Sequence, residues 1–110
     1  METQLREWET CHTGTPWGRA DGCKHITRGI VQYFTPSHGG YHVSAELLKT
    51  MPEYLQQDAY TPLGWFEEDC AWAKVAISFP QYFSTEDQSI AYQTLKAYYP
   101  EAYAKLMGNS

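Results

Sequence analysis

Apolar residues recur at helical spacing in one segment near the middle of the chain, Phe66–Phe79. They form one stripe, which further apolar residues widen on both sides. The stripe consists of Phe66, Cys70, Ala73 and Ile77, widened by Trp72, Val75 and Phe79. Glu67, Lys74 and Ser78 supply the polar side, and Pro80 ends the helix because proline lacks an amide hydrogen. The pattern predicts a central helix that is buried on most of its circumference and lies across a sheet.

Short β-branched and aromatic runs precede this helix and predict strands. Cys23–Thr27 and Ile30–Thr35 are separated by Arg28-Gly29, a sequence typical of a hairpin. Tyr41–Val43 follows a turn at Pro36–Gly40 and forms the third strand. We therefore expect a three-stranded antiparallel meander, which needs covering helices to be stable.

Capping residues and prolines predict three further helices. They are Ala45–Met51 behind the N-cap Ser44, a helix through Ile90, Leu95 and Tyr98 behind the capping-box pair Thr85 and Gln88, and Glu101–Met107 behind Pro100. The predicted fold class is α+β, with a small three-stranded antiparallel sheet packed against three to four helices. We expect residues 1–14 to be a polar N-terminal lead-in and residues 15–110 to be a single domain.

Composition narrows the class of protein. The chain has 110 residues with 9 Tyr, 4 Trp and 4 Phe, which predicts a core rich in rings. Three cysteines without CxxC spacing indicate neither a disulfide framework nor a zinc knuckle. The charged N-terminus lacks the pattern of a signal peptide, and no apolar stretch approaches the roughly 20 residues that span a bilayer. We expect a cytoplasmic protein with no membrane partner.

Charge is distributed unevenly along the chain, whose net charge is −5. Seven acidic residues between Glu53 and Asp87 are opposed only by Lys74. If this segregation persists in the fold, one face is negative and suits a basic partner. Direct nucleic-acid binding is not expected, because releasing counterions from phosphates requires clustered Lys and Arg, and here they are scattered.

Two histidines flank a glycine pair in the turn before the third strand. His38 and His42 surround Gly39 and Gly40, where backbone amides allow a ligand to approach closely. One interpretation is a metal or anion site that a carboxylate completes. The other is a tight turn whose histidines hydrogen-bond the backbone.

The carboxylates available to such a site are Glu67, Glu68 and Asp69. They also fall in the first turn of the predicted central helix, where the helix dipole stabilises negative charge. Adjacent carboxylates point in different directions around a helix, so they do not form a paired acid–base site. No nucleophile elbow, phosphate-binding loop or dinucleotide fingerprint is present, so we predict no catalytic residue and no cofactor.

Three motifs, taken together, resemble an uncharacterised bacterial domain family. They are Thr15-Pro16-Trp17-Gly18, Thr35-Pro36-Ser37-His38-Gly39-Gly40, and the run from Gly64 to Ala73 with the sequence GWFEEDCAWA. The resemblance covers about residues 15–108. It implies a short protein of phages, plasmids or integrated elements, or a module of a larger protein, and it supplies no established activity. Such a setting implies an accessory or counter-defence role.

The leading functional hypothesis is a non-catalytic protein that sets an acidic face against a basic site on a host protein or nucleoprotein complex. The alternative is a metal-dependent hydrolase, or a metal-bound ligand module, built on the two histidines and a carboxylate. A third hypothesis is ligand recognition in a cavity lined by Trp17, His38 and Trp65. We also expect the glycine turn to dock against the start of the central helix, with Trp17 and Trp65 closing the sides of the junction.

Overall fold

The computed structural model describes residues 14–57 and 61–108, which contain six strands and four α-helices. The strands are β1 (Gly14–Thr15), β2 (Gly18–Arg19), β3 (Gly22–Thr27), β4 (Ile30–Phe34), β5 (Gly39–Val43) and β6 (Trp65–Glu67). The helices are α1 (Ala45–Leu48), α2 (Trp72–Ser78), α3 (Thr85–Tyr98) and α4 (Pro100–Leu106), with 3₁₀ turns at Glu53–Leu55 and Pro80–Tyr82. The predicted α+β class is confirmed. Apart from Gly14, the predicted lead-in lies outside the described residues.

Four strands form the main antiparallel sheet, in the order β3-β4-β5-β6, and β1 pairs with β2 in a separate hairpin. The predicted meander corresponds to β3, β4 and β5. Its topology is therefore confirmed, and the prediction of three strands is wrong. Gly39 and Gly40, which the sequence assigned to a turn, are the first two residues of β5.

The fourth strand is Trp65–Glu67, of which the helical pattern assigned Phe66 and Glu67 to the start of the central helix. It pairs with β5 in the register Gly40↔Glu67, Tyr41↔Phe66 and His42↔Trp65. Aromatic residues favour a pleated, half-buried surface. A positive φ of 91° at Gly64 turns the chain into the strand. Because this segment pairs with β5, helix α2 begins at Trp72 instead of Phe66.

The hydrophobic core lies between one face of the main sheet and the helices. Ile30, Val43 and Phe66 point from the sheet into this core, and each is no more than 1% exposed. The partners from the helical side are Leu48, Met51, Leu55, Ala71, Val75, Phe79 and Leu95. Burying a side chain of the size of Phe66 stabilises the fold by roughly 1.5–3 kcal/mol.

Helix α2 is buried around most of its circumference, as the sequence predicted. Residues 73–76 are all buried, which an amphipathic surface helix does not show. On the side facing α3, Ala73 and Ala76 pack against Ala91. These small side chains let the two helices approach closely.

The other helices keep their predicted positions with shifted boundaries. Ser84 caps α3, with its Oγ accepting a hydrogen bond from the Asp87 amide at 3.0 Å. The capping pair is therefore one residue earlier than the predicted pair, Thr85 and Gln88. The Ser44 cap of α1 is confirmed. None of the helices in the described ranges is long and apolar enough to cross a membrane.

The cysteines differ from the sequence-based expectation in one respect. Cys23 on β3 is disulfide-bonded, whereas the odd number and spacing of the cysteines did not indicate a disulfide framework. Cys70, in the turn before α2, forms no disulfide. The spacing argument failed because cysteine pairing depends on proximity in the fold.

The core assignment predicts a large loss of stability on replacing Phe66. Phe66→Ala is expected to lower the free energy of unfolding by about 3–5 kcal/mol, because it removes a fully buried ring and leaves a cavity in the core. The matched control is Phe34→Ala, since Phe34 ends β4 and its side chain is 44% exposed. Urea denaturation followed by circular dichroism measures both variants. Equal losses would contradict the assignment of the core.

Candidate functional site

Most of the sequence-predicted site residues lie on the sheet face opposite the core. Successive residues of a strand point to opposite faces. Gly40 and His42 therefore lie on one face of the sheet, and Tyr41 and Val43 lie on the other, core-facing side. Their partners on β6 are Glu67 and Trp65. The fold thus brings part of the second motif and part of the third motif onto one surface.

Four aromatic rings form a cluster on this face, with Trp65 at its centre. The Trp65 ring lies 4.5 Å from that of His42 and 5.3 Å from that of Tyr33, between centroids. The Trp17 ring meets Trp65 edge-to-face at 5.6 Å. Edge-to-face contacts at this distance are favourable beyond the area that they bury. Tyr33, only 1% exposed, anchors the cluster to the sheet.

Gly40 allows the β1–β2 hairpin to lie on the sheet. A Cβ atom at position 40 would collide with Cη2 of Trp17 and with the carbonyl oxygen of Phe66. The Trp17 ring therefore occupies the space that any other residue type would fill. The first motif is joined to the second by this contact, and Trp17 lies where β5 pairs with β6.

Gly39 makes a second close approach, to the segment that follows β6. The Glu68 amide donates a hydrogen bond to the Gly39 carbonyl oxygen at 2.9 Å. A Cβ at Gly39 would lie 2.8 Å from the Tyr33 carbonyl oxygen and 3.0 Å from Oε1 of Glu68. The space above both glycines is filled by other groups of the protein. The hypothesis of a ligand cavity between Trp17, His38 and Trp65 gains no support from this arrangement.

Glu67 caps the turn that leads into α2. Its carboxylate accepts hydrogen bonds from the amides of Asp69, Cys70 and Ala71, at 2.7, 2.6 and 2.8 Å. Hydrogen bonds to an ionised acceptor are roughly twice as strong as neutral ones. The sequence placed all three carboxylates in the first turn of the helix. In the structure they precede it, and Glu67 satisfies the amides of this turn from the end of a strand.

The second motif meets the third, as predicted, but it does so by pairing of β5 with β6. The prediction that a glycine turn sits against the start of the central helix is wrong, because the glycines belong to a strand and α2 begins only at Trp72. Gly40 pairs with Glu67, and Gly39 binds the next residue, Glu68. Glu67 then binds the amides before α2. The three motifs therefore share a structural purpose.

His38 lies outside the aromatic cluster, exposed to solvent in the turn before β5. Thr35 closes this turn through the backbone: the Thr35 amide donates to the His38 carbonyl at 2.8 Å, and Thr35 Oγ1 accepts from the His38 amide at 3.0 Å. His42 is four residues further along an extended chain, about 13 Å away at the rise of a strand. Within residues 14–57 and 61–108, no group of three His, Cys, Asp or Glu side chains is placed to hold a metal ion.

Lys74 is the residue that sequence reasoning missed. It was assigned to the polar side of the central helix, and its side chain is only 4% exposed. Its Nζ donates to the Gln57 carbonyl oxygen at 2.6 Å and lies 4.1 Å from the centroid of the Tyr99 ring. The signal was available: Lys74 stands within a run of otherwise small and apolar residues, from Ala71 to Ile77.

The acidic residues around the β6–α2 junction remain at the surface. Glu68 and Asp69 are exposed after β6, and Glu86 and Asp87 are exposed in the first turn of α3. Burial raises the pKa of the Tyr41 hydroxyl, and the nearby Asp87 carboxylate raises it further. The Tyr41 ring also packs against Phe83 at 5.7 Å between centroids. The start of α3, which carries Asp87, therefore lies close to strand β5.

Comparison with family models identifies the family of this chain. The model described as a domain of unknown function, DUF7007, matches residues 10–110. Because the match covers most of the chain, the protein belongs to this family. Comparison with curated proteins and with solved structures returns no match.

The Trp17–Gly40 contact predicts that Gly40→Ala displaces the hairpin. Overpacking of this kind costs about 1–3 kcal/mol, so the melting temperature should fall by several degrees. Gly22→Ala is the matched control, because Gly22 begins a strand of the same sheet and a Cβ atom there would have no other group within 4 Å. Differential scanning calorimetry measures both variants. A Gly40→Ala protein that melts like the Gly22→Ala protein would refute the close approach.

The capping role of Glu67 predicts that Glu67→Ala lowers the free energy of unfolding by about 1–2 kcal/mol, as loss of a helix cap does. Three backbone amides lose their charged acceptor in this variant. Glu68→Ala removes the neighbouring, exposed carboxylate and should change stability by less than about 0.5 kcal/mol. Denaturant titration compares the two. Equal effects would show that charge, and not capping, is what Glu67 supplies.

Proposed function

We propose that this protein is a non-catalytic binding protein that sets an acidic surface against a basic site on a host protein or nucleoprotein complex. The observation that carries the proposal is the burial of Lys74, the only basic residue between Glu53 and Asp87. We call this range the acidic segment. Its one cation is directed into the fold, so it does not offset the carboxylates at the surface.

The exposed charges of the acidic segment, within the described residues, are all negative. They are Glu53, Glu68, Asp69, Glu86 and Asp87. Glu67 is engaged by backbone amides, and its charge is partly neutralised within the fold. Such a surface attracts a basic partner over a distance comparable to the Debye length, and it accelerates their association.

The biological setting is part of the proposal. The three motifs resemble those of short proteins from phages, plasmids and integrated elements. The concrete form that we propose is a counter-defence inhibitor that occupies a nucleic-acid-binding groove by mimicking the charge of nucleic acid. A cytoplasmic location requires the Cys23 disulfide to be reduced in the cell, because cytosolic glutathione and thioredoxin keep thiols reduced.

The test is capture of the partner from a host lysate by the tagged protein at two salt concentrations. Electrostatic association should weaken strongly between about 0.1 M and about 1 M salt, where the Debye length falls from about 10 Å to about 3 Å. The double variant Glu68→Lys/Asp69→Lys should lose the partner. It reverses two exposed charges of the acidic segment and changes the net charge from −5 to −1 (two changes of +2 each).

The control is Glu46→Lys/Glu101→Lys, which has the same net charge but alters exposed residues outside the acidic segment. This variant should retain the partner. Loss of binding in both double variants would show that total charge, and not the acidic segment, is responsible. Capture that is insensitive to salt would contradict the electrostatic proposal.

A further inference from the structure

The β1–β2 hairpin rests on the main sheet through the ring of Trp17. The hairpin turn is closed by its own residues, since Thr15 Oγ1 makes hydrogen bonds of 2.7 and 3.1 Å to backbone groups of the turn. Among the described residues, no hydrogen bond links residues 14–19 to a strand of the main sheet. The half-buried Trp17 ring instead meets Trp65 edge-to-face and lies over Gly40. The position of the hairpin on the sheet therefore depends on an apolar contact.

The Trp17 ring lies at the end of the β5–β6 ladder. The paired residues run from His42↔Trp65 to Gly40↔Glu67, where the pairing ends. The terminal pair of a ladder opens more readily than the pairs inside it, because it is held from one side. A Cβ atom on Gly40 would collide with Cη2 of Trp17 and would lie 2.9 Å from Cα of Glu67. The ring therefore covers the pair that opens first.

The β6–α2 junction, residues 67–71, is held by hydrogen bonds that start at this terminal pair. The Glu68 amide donates to the carbonyl oxygen of Gly39, the neighbour of Gly40, at 2.9 Å. The next three amides of the junction donate to the Glu67 carboxylate at 2.6 to 2.8 Å. Both acceptors thus lie within one residue of the Gly40↔Glu67 pair. Opening of that pair moves both acceptors away from the four amides.

The hydrophobic core lies on the other face of the sheet, away from Trp17. Leu95 of α3 is fully buried there, and Ala76 of α2 is fully buried against Ala91. These contacts do not include Trp17, so they persist when its ring leaves the opposite face. A segment attached to a stable core can open locally at a lower free energy than global unfolding requires.

We propose that the β1–β2 hairpin is a conformational switch for the β6–α2 junction. With Trp17 on Gly40, the junction holds the exposed carboxylates of Glu68 and Asp69 in one orientation. When the ring leaves, the junction opens and the core stays folded. The use of this switch in partner binding rests on the proposed function. The motion itself is tested on the protein alone, so its failure is distinguishable from failure of the proposed function.

The experiment is native-state hydrogen exchange of the ¹⁵N-labelled full chain at denaturant concentrations below the unfolding transition. The junction amides, Glu68 and Ala71, should exchange through an opening whose free energy depends little on denaturant, because little surface is exposed. The core amides, Ala76 and Leu95, should show the denaturant dependence of global unfolding. The same denaturant dependence for both sets would overturn the proposal.

Two substitutions at Trp17 test the role of the ring. Trp17→Ala should accelerate exchange of the junction amides about tenfold more than that of the core amides, because the closed state loses an edge-to-face contact and the area that the ring covers. Trp17→Phe keeps an aromatic ring on Gly40 and should restore most of the protection. Equal acceleration of both sets in Trp17→Ala, no acceleration of either, or a Trp17→Phe protein that exchanges like Trp17→Ala would overturn the proposal.

The matched control is Tyr98→Ala. This substitution removes an aromatic ring that is 64% exposed at the end of α3. It should leave the ratio of the exchange rates of the two sets unchanged. A change of that ratio as large as the one in Trp17→Ala would show that the effect is not specific to the hairpin, and it would also overturn the proposal.

Discussion

The pairing of strand β6 with strand β5 determines the position of the other functional elements. Because side chains alternate along a strand, this one register sends Phe66 into the core and Trp65 to the opposite face. It also brings Glu67 to the start of the turn before α2, where its carboxylate binds three amides. A shift of this register by one residue would exchange the two faces of β6. Phe66 would leave the core, and Trp65 and Glu67 would face it.

Charged residues of this region are of two kinds. Lys74 is buried and contacts groups inside the fold, whereas other charged side chains face solvent. The acids of the β6–α2 junction, adjacent in the chain, divide in the same way: Glu67 binds amides, whereas Glu68 and Asp69 are exposed. The negative charge of this junction at the surface is therefore carried by Glu68 and Asp69. Glu67 caps the turn before α2 and Lys74 is buried in the fold, whereas the exposed carboxylates Glu68 and Asp69 face solvent.

Local patterns predicted the α+β class, the β3–β5 meander and the existence of each helix, because these depend on periodicity and on caps such as Ser44. The pattern failed at Phe66 and Glu67, which were assigned to the central helix and instead pair with β5, a strand that is distant in sequence. The secondary-structure propensity of a segment does not reveal hydrogen bonds to a strand that is distant in sequence. For the same reason, the prediction that Lys74 faces solvent was wrong. Other parts of the protein cover the side of α2 that the pattern within the helix assigned to solvent.

The glycine pair illustrates how a motif that suggests ligand binding can be explained by packing. A glycine in a strand allows another group to approach the backbone closely, and the sequence alone does not say whether that group is a ligand or the protein itself. Here Trp17 covers Gly40, and Glu68 lies over Gly39. The glycines are consequently used in joining the hairpin, the sheet and the α2 turn.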